Sequence, residues 1–132
     1  MPDLKPLQRT TAPVARPSYS PSMPTSDALV AGWREKLAII NMRGPADDAL
    51  FRRAIAEALG VELPVQACTT TSNNVLRVVW VGPDEWFVIG ANGQASILAA
   101  RLQSVLAGLH HAVTDVSSGY TVVHMSGKPL RE

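Results

Sequence analysis

The sequence has little of what cofactor and metal sites are usually built from. Cys68 is the single cysteine among 132 residues, so the chain has no disulfide framework and no thiolate cluster. No glycine-rich loop follows a strand with the spacing of a dinucleotide or phosphate motif, and no serine occupies a nucleophile elbow. The sequence therefore predicts no cofactor, no metal site and no catalytic residue in this chain.

Charge of one sign and long apolar runs are also missing. Twelve Lys and Arg stand against eleven Asp and Glu, a formal net charge of +1, and the basic residues form no run. Nucleic acid is therefore not an expected partner. No apolar run approaches the roughly 18 residues of a membrane span, and the N-terminus has no signal-peptide core. The sequence predicts no membrane association and a cytoplasmic location.

Proline is plentiful but concentrated at one end, because six of the ten prolines fall within residues 1–29 among Ser and Thr. Such a segment cannot bury enough apolar area to offset its ordering entropy. Residues 1–32 are therefore predicted to form a flexible arm, and residues 33–132 an α+β domain. A domain of this size hides only about 60–65% of the surface of its unfolded chain, so support from a partner is expected.

The first helix of that domain is predicted from its ends and its apolar stripe. Gly44-Pro45 is typical of a helix start, and Gly60 of a helix end. Phe51, Ile55 and Leu59 recur every four residues between them, which indicates an amphipathic helix packed on a sheet.

The remaining patterns predict the element order βαββαββ. A strand over 37–43 precedes the first helix, residues 69–74 form a polar loop, and residues 112–116 and 120–125 form a final hairpin. The second helix follows an Asn92-Gly93 turn and carries its apolar stripe at Leu98, Leu102, Val105 and Leu109. This order favours a mostly antiparallel sheet with both helices on one face.

A tryptophan-rich hairpin precedes the second helix. The segment 82–85, Gly-Pro-Asp-Glu, is typical of a four-residue turn, which pairs Val81 with Trp86. Strand alternation then puts Trp86, Val79, Val81 and Val88 on one face. Because the helices are expected on the other face, these four residues are predicted to form a partner interface, and the isolated chain to self-associate. The alternative is that a loop or the N-terminal arm covers them.

The polar residues of the chain favour structural roles. Asp84 and Glu85 are adjacent around a turn and are not expected to converge on one reacting group. The histidines at 110, 111 and 124 lack the spacing of a metal-binding helix. Asp115 is predicted to cap the Ser117-Ser118-Gly119 turn by accepting backbone N–H groups, so Asp115, Ser117 and Gly119 form a structural turn.

Three blocks, taken together, resemble one family. They are residues 36–44 (Lys-Leu-Ala-Ile-Ile-Asn-Met-Arg-Gly), residues 81–87 (Val-Gly-Pro-Asp-Glu-Trp-Phe) and residues 114–127, which begin Thr-Asp-Val-Ser-Ser-Gly-Tyr. In order and spacing they resemble the gamma subunits of heterotetrameric sarcosine oxidases, over residues 33–132. Asp115-Val116-Ser117 and Ser126-Gly127 also resemble the related folate-binding fold of aminomethyltransferases. The chain looks truncated at its C-terminus relative to that family.

The resemblance implies a non-catalytic subunit of a complex that demethylates sarcosine oxidatively to glycine. Such a complex forms hydrogen peroxide and passes the one-carbon unit to tetrahydrofolate. It implies alpha, beta and delta subunits as partners, with FAD, FMN, NAD and zinc held by those other subunits. The alternatives are a free-standing folate-binding protein resembling aminomethyltransferases, and a structural adaptor.

Overall fold

The described part of the chain, residues 30–33 and 36–127 of a computed structural model, is an α+β fold. Its elements in chain order are β1 (Val30–Trp33), β2 (Ala38–Arg43), α1 (Ala49–Leu59), β3 (Thr70–Ser72), β4 (Arg77–Gly82), β5 (Glu85–Gly90), α2 (Ala95–Val105), β6 (Ala112–Asp115), a 3₁₀ turn (Ser117–Gly119) and β7 (Val123–Ser126). Neither helix of these residues is long and apolar enough to cross a membrane.

The strands form two antiparallel sheets. Five of them make the main sheet in the order β3-β4-β5-β2-β6, and β1 pairs with β7 in a separate two-stranded ribbon. The predicted fold class, a mostly antiparallel sheet with two helices, is confirmed. The predicted element order is incomplete, because it lacks β1 and treats β3 as loop.

Helix α1 has the predicted apolar stripe but starts later than expected. Its N-cap is Asp48, whose carboxylate accepts the Leu50 N–H at 2.8 Å. Pro45 lies in the turn before it, where its carbonyl accepts the Asp48 N–H. Gly60 ends the helix in the left-handed conformation, at φ 71°, as its position in the sequence predicts.

The core lies between one face of the main sheet and both helices, which confirms that the helices share a face. The sheet contributes Ala38, Ile40, Met42, Val78, Trp86 and Val88, and the helices contribute Phe51, Ile55, Leu59, Leu98 and Leu102. The Phe51 and Trp86 rings are tilted against each other, with centroids 5.9 Å apart.

The predicted register of the tryptophan hairpin is wrong by one residue. Trp80 pairs with Trp86 and Gly82 with Glu85, so Val81 is an extra residue in β4, at a β-bulge. Because a slip of one residue exchanges the two faces of a strand, Trp86 and Val88 point into the core. Both are fully buried, and their predicted place on the face away from the helices is wrong.

The predicted final hairpin is also wrong. Strand β6 pairs with β2 at the edge of the main sheet, whereas β7 leaves that sheet and pairs with β1. The 3₁₀ turn at Ser117–Gly119 separates them, and Tyr120 then packs edge-on against Phe87. Strand β1 starts at Val30, inside the predicted arm, while residues 1–29 lie outside the described residues.

Candidate functional site

The adjacent carboxylates of the β4–β5 turn are held apart by different partners. Asp84 forms an ion pair with Arg43 at 3.3 Å, and Glu85 accepts the Asn41 side-chain amide at 2.7 Å. The Gly44 N–H donates to the Asp84 carbonyl oxygen, which ties this turn to the end of β2. The two carboxylates therefore do not face a common point, as predicted, and serve to fix the turn.

Asp115 and Ser117 form the most connected polar group of the described residues. The Asp115 carboxylate accepts the Ser117 backbone N–H at 3.0 Å and the Ser117 hydroxyl at 2.6 Å. The predicted cap is thus confirmed at Asp115 and Ser117. Gly119 closes the 3₁₀ turn by donating its N–H to the Val116 carbonyl oxygen.

Sequence reasoning missed the second task of Ser117. Its hydroxyl oxygen accepts the Ile39 backbone N–H at 2.9 Å, and the Ile39 carbonyl accepts the Val116 N–H at 3.0 Å. A side chain thereby continues the β2–β6 ladder where β6 has ended. No local pattern signals this contact, because the two residues are 78 positions apart.

The same contacts set the acidity of Asp115. Hydrogen bonds from the Ser117 hydroxyl, and then from its backbone N–H, lower the pKa of Asp115 below its ordinary value of 3.8, with a smaller contribution from the Lys36 charge. The carboxylate itself lies at the surface. These interactions stabilise the turn in its ionised form.

The histidines and the cysteine are dispersed. His111 Nδ1 lies 2.8 Å from the Leu109 carbonyl oxygen, His124 is exposed on the ribbon, and Cys68 is exposed. Within residues 30–33 and 36–127 there is no group of three or more His, Cys, Asp or Glu side chains placed to hold a metal ion. The assignment of cofactors to other subunits stays a prediction.

An open groove of about 480 Å³ runs along α1, lined by Ala49, Arg52, Arg53, Ala56, Glu57 and Glu62. Its central charges neutralise each other, because Arg53 and Glu57 form an exposed ion pair one helical turn apart, at 2.9 Å. Such a pair is typical of a solvated helix surface.

Among the four predicted interface residues, the structure separates the two that are buried from the other two. Trp86 and Val88 belong to the core, so they are not available to a partner in this fold. Val79 is half-buried on the sheet face away from the helices, and Val81 is 40% exposed at the bulge. A partner role for Val79 and Val81 stays a prediction.

Comparison with known proteins identifies relatives of this fold and sequence. The family model described as "Sarcosine oxidase, gamma subunit family" matches residues 43–132. The curated "Sarcosine oxidase subunit gamma" of Corynebacterium sp. (strain P-1) is 36% identical over 75 residues, which are 56% of this chain and 36% of that protein.

A solved structure shows the same fold. A chain of the heterotetrameric sarcosine oxidase from Corynebacterium sp. U-96, in complex with pyrrole 2-carboxylate, superposes with a TM-score of 0.68 at 24% identity, covering 76% of this chain and 51% of that one. This chain therefore spans about a third of the curated relative and about half of the solved chain. Since the family model extends over more than half of the sequence, the chain belongs to the sarcosine oxidase gamma subunit family.

Proposed function

We propose that this chain acts as a non-catalytic gamma subunit of a heterotetrameric sarcosine oxidase. The observation that carries the proposal is the family match over residues 43–132, which takes in α1, both tryptophan strands, α2 and the Asp115 turn. The geometry supports an accessory role, since the carboxylates that could serve acid–base chemistry are engaged in fixing turns. A cytoplasmic location stays a prediction.

In the proposed complex, sarcosine is demethylated oxidatively to glycine and oxygen is reduced to hydrogen peroxide. The one-carbon unit released from sarcosine passes to tetrahydrofolate. The alpha, beta and delta subunits hold FAD, FMN, NAD and zinc and carry out these steps. This chain contributes by binding those subunits.

Coexpression tests the proposal. The chain is produced with the other sarcosine oxidase subunits encoded in the same genome, and the assembly is isolated through a tag on this chain. We expect stoichiometric copurification and sarcosine-dependent peroxide formation by the assembly. An assembly that excludes this chain would refute the proposal.

The purified chain supplies the second measurement. We expect no sarcosine oxidation, no flavin absorbance and no stoichiometric zinc. Flavin bound to the isolated chain would contradict the assignment of redox chemistry to other subunits. Tetrahydrofolate bound by the isolated chain would instead favour a free-standing protein resembling the aminomethyltransferases.

A further inference from the structure

The main sheet has an apolar patch on the face opposite its helices. Strand pairing makes Val79 the neighbour of Phe87, and Ile89 the neighbour of Ile39, across β4, β5 and β2. These four residues form what we call the outer patch. Ile39 is buried although it lies outside the helix-facing core, and the other three are half-buried.

The described residues cover this patch only in part. Tyr120 packs edge-on against Phe87 with ring centroids 5.2 Å apart, and Tyr120 is itself 51% exposed. Both helices contribute to the core on the opposite face. A sheet with two apolar faces is stable when each face is packed against another layer. The outer patch has only Tyr120 and its neighbouring segment in that place.

Arg77 lies at the edge of the outer patch, where strand pairing sets it beside Ile89. Its side chain is exposed, and neither ion pair of the described residues involves it. The acidic side chain on the same sheet face, Glu85, is bonded to Asn41. Aromatic residues combined with arginine are enriched at the centres of protein interfaces.

We propose that the outer patch docks another subunit of the proposed complex, through an apolar surface that presents a carboxylate to Arg77. The charge of the patch favours a different chain over a second copy. In a symmetric dimer the same patch meets itself, which would bring one Arg77 towards the other without a free carboxylate to separate them. This inference rests on the proposed function, because it needs those subunits as partners.

Binding of charge variants tests the proposal. The remaining subunits are purified as a complex without this chain, and their affinity is measured for wild type, Arg77→Glu, Arg77→Ala and Arg101→Glu. Arg101 is the matched control, since it is exposed on α2, on the helical side of the sheet. We expect binding to weaken about tenfold or more for Arg77→Glu, and less than about twofold for Arg101→Glu.

Two further measurements separate the ionic contribution from the apolar one. Raising the salt concentration should weaken the wild type more than Arg77→Ala, because the variant has no charge to screen. Ile89→Ser should weaken binding while Arg77 remains in place. Thermal melts of each variant confirm that the chain still folds.

The outcomes distinguish this inference from the function it rests on. Equal affinity for wild type and Arg77→Glu would overturn the docking surface and leave the subunit role intact. No binding by the wild type would overturn both. A dimer of this chain that Ile89→Ser disrupts, with no effect of Ile89→Ser on subunit binding, would assign the patch to a second copy and refute the inference.

Discussion

Trp86 and Pro64 are joined by a hydrogen bond of 2.6 Å, which the indole Nε1 donates to the proline carbonyl oxygen inside the core. Trp86 is the largest fully buried side chain of the described residues. The bond fixes the loop after α1 to the central strand β5. An indole that reaches a buried carbonyl satisfies both polar groups, which explains how tryptophan is accommodated in this interior.

Trp86→Phe should therefore destabilise the fold by about 2–4 kcal/mol. The variant loses buried volume and leaves the Pro64 carbonyl without its donor. Urea denaturation at neutral pH measures the loss. Trp33→Phe is the matched control, because Trp33 is 59% exposed, and it should change stability by less than about 0.5 kcal/mol. Equal unfolding midpoints for the two variants would contradict the role of the buried bond.

Ser117→Ala should lower the free energy of unfolding by about 1–2 kcal/mol, because the Ile39 N–H loses its acceptor. The neighbouring Ser118 is exposed and offers a control of the same chemistry. Ser118→Ala should have an effect within about 0.5 kcal/mol of zero. If both serines respond alike in urea melts, the hydroxyl does not support the end of β2.

Asp115→Ala should destabilise the chain in a pH-dependent way. The pKa of Asp115 is lowered in the folded state by its bonds from Ser117, so its contribution is present above its ordinary value of 3.8 and is lost as pH falls through the lower, folded pKa. The difference in urea midpoint between wild type and variant should be constant near neutral pH. It should shrink below about pH 4.

Asp115→Asn is the informative companion variant, because it keeps an acceptor oxygen and removes the charge. Its loss near neutral pH should be smaller than that of Asp115→Ala. A gap between Asp115→Ala and wild type that widens on acidification would have the wrong sign for a carboxylate with a lowered pKa.

Gly44→Ala should cost about 1–3 kcal/mol, because a Cβ at this position would overlap the buried ring of Phe51. Gly119→Ala is the control, since a Cβ there has no atom within 4 Å. Adding Phe51→Leu should reduce the additional cost of Gly44→Ala, which a double-mutant cycle in urea detects. If Gly44→Ala costs as much in the Phe51→Leu background as in the wild type, the ring is not the obstacle.

The parts of the fold that sequence predicts well are those with local causes. The stripe of Phe51, Ile55 and Leu59 and the glycine at 60 follow from helical geometry alone, and all four lie as expected. The cap at Asp115 depends on residues two positions apart and is equally accessible to sequence reasoning.

The errors arise where distant residues decide the outcome. The register of β4 against β5 depends on a bulge at Val81, which no residue type signals, and this one extra residue places Trp86 in the core instead of on the outer face. The pairing of β1 with β7 joins the two ends of the described chain, whereas local patterns favour the nearer β6 as the partner of β7. The surface with Phe87 and Arg77 escapes sequence reasoning for the same reason as the burial of Trp86.

The ribbon formed by β1 and β7 should open far more often than the main sheet. Trp33, Val123 and Met125 are each about half exposed, and no residue of the two strands is buried. Two-stranded ribbons without packing are marginally stable in water, whereas β2 is flanked by β5 and β6 and carries the core. Amide hydrogen exchange by mass spectrometry should therefore show fast exchange at Val123–Ser126 and slow exchange at Ala38–Arg43 in the isolated chain. Protection of β7 equal to that of β2 would show that the apolar side of the ribbon is covered in solution.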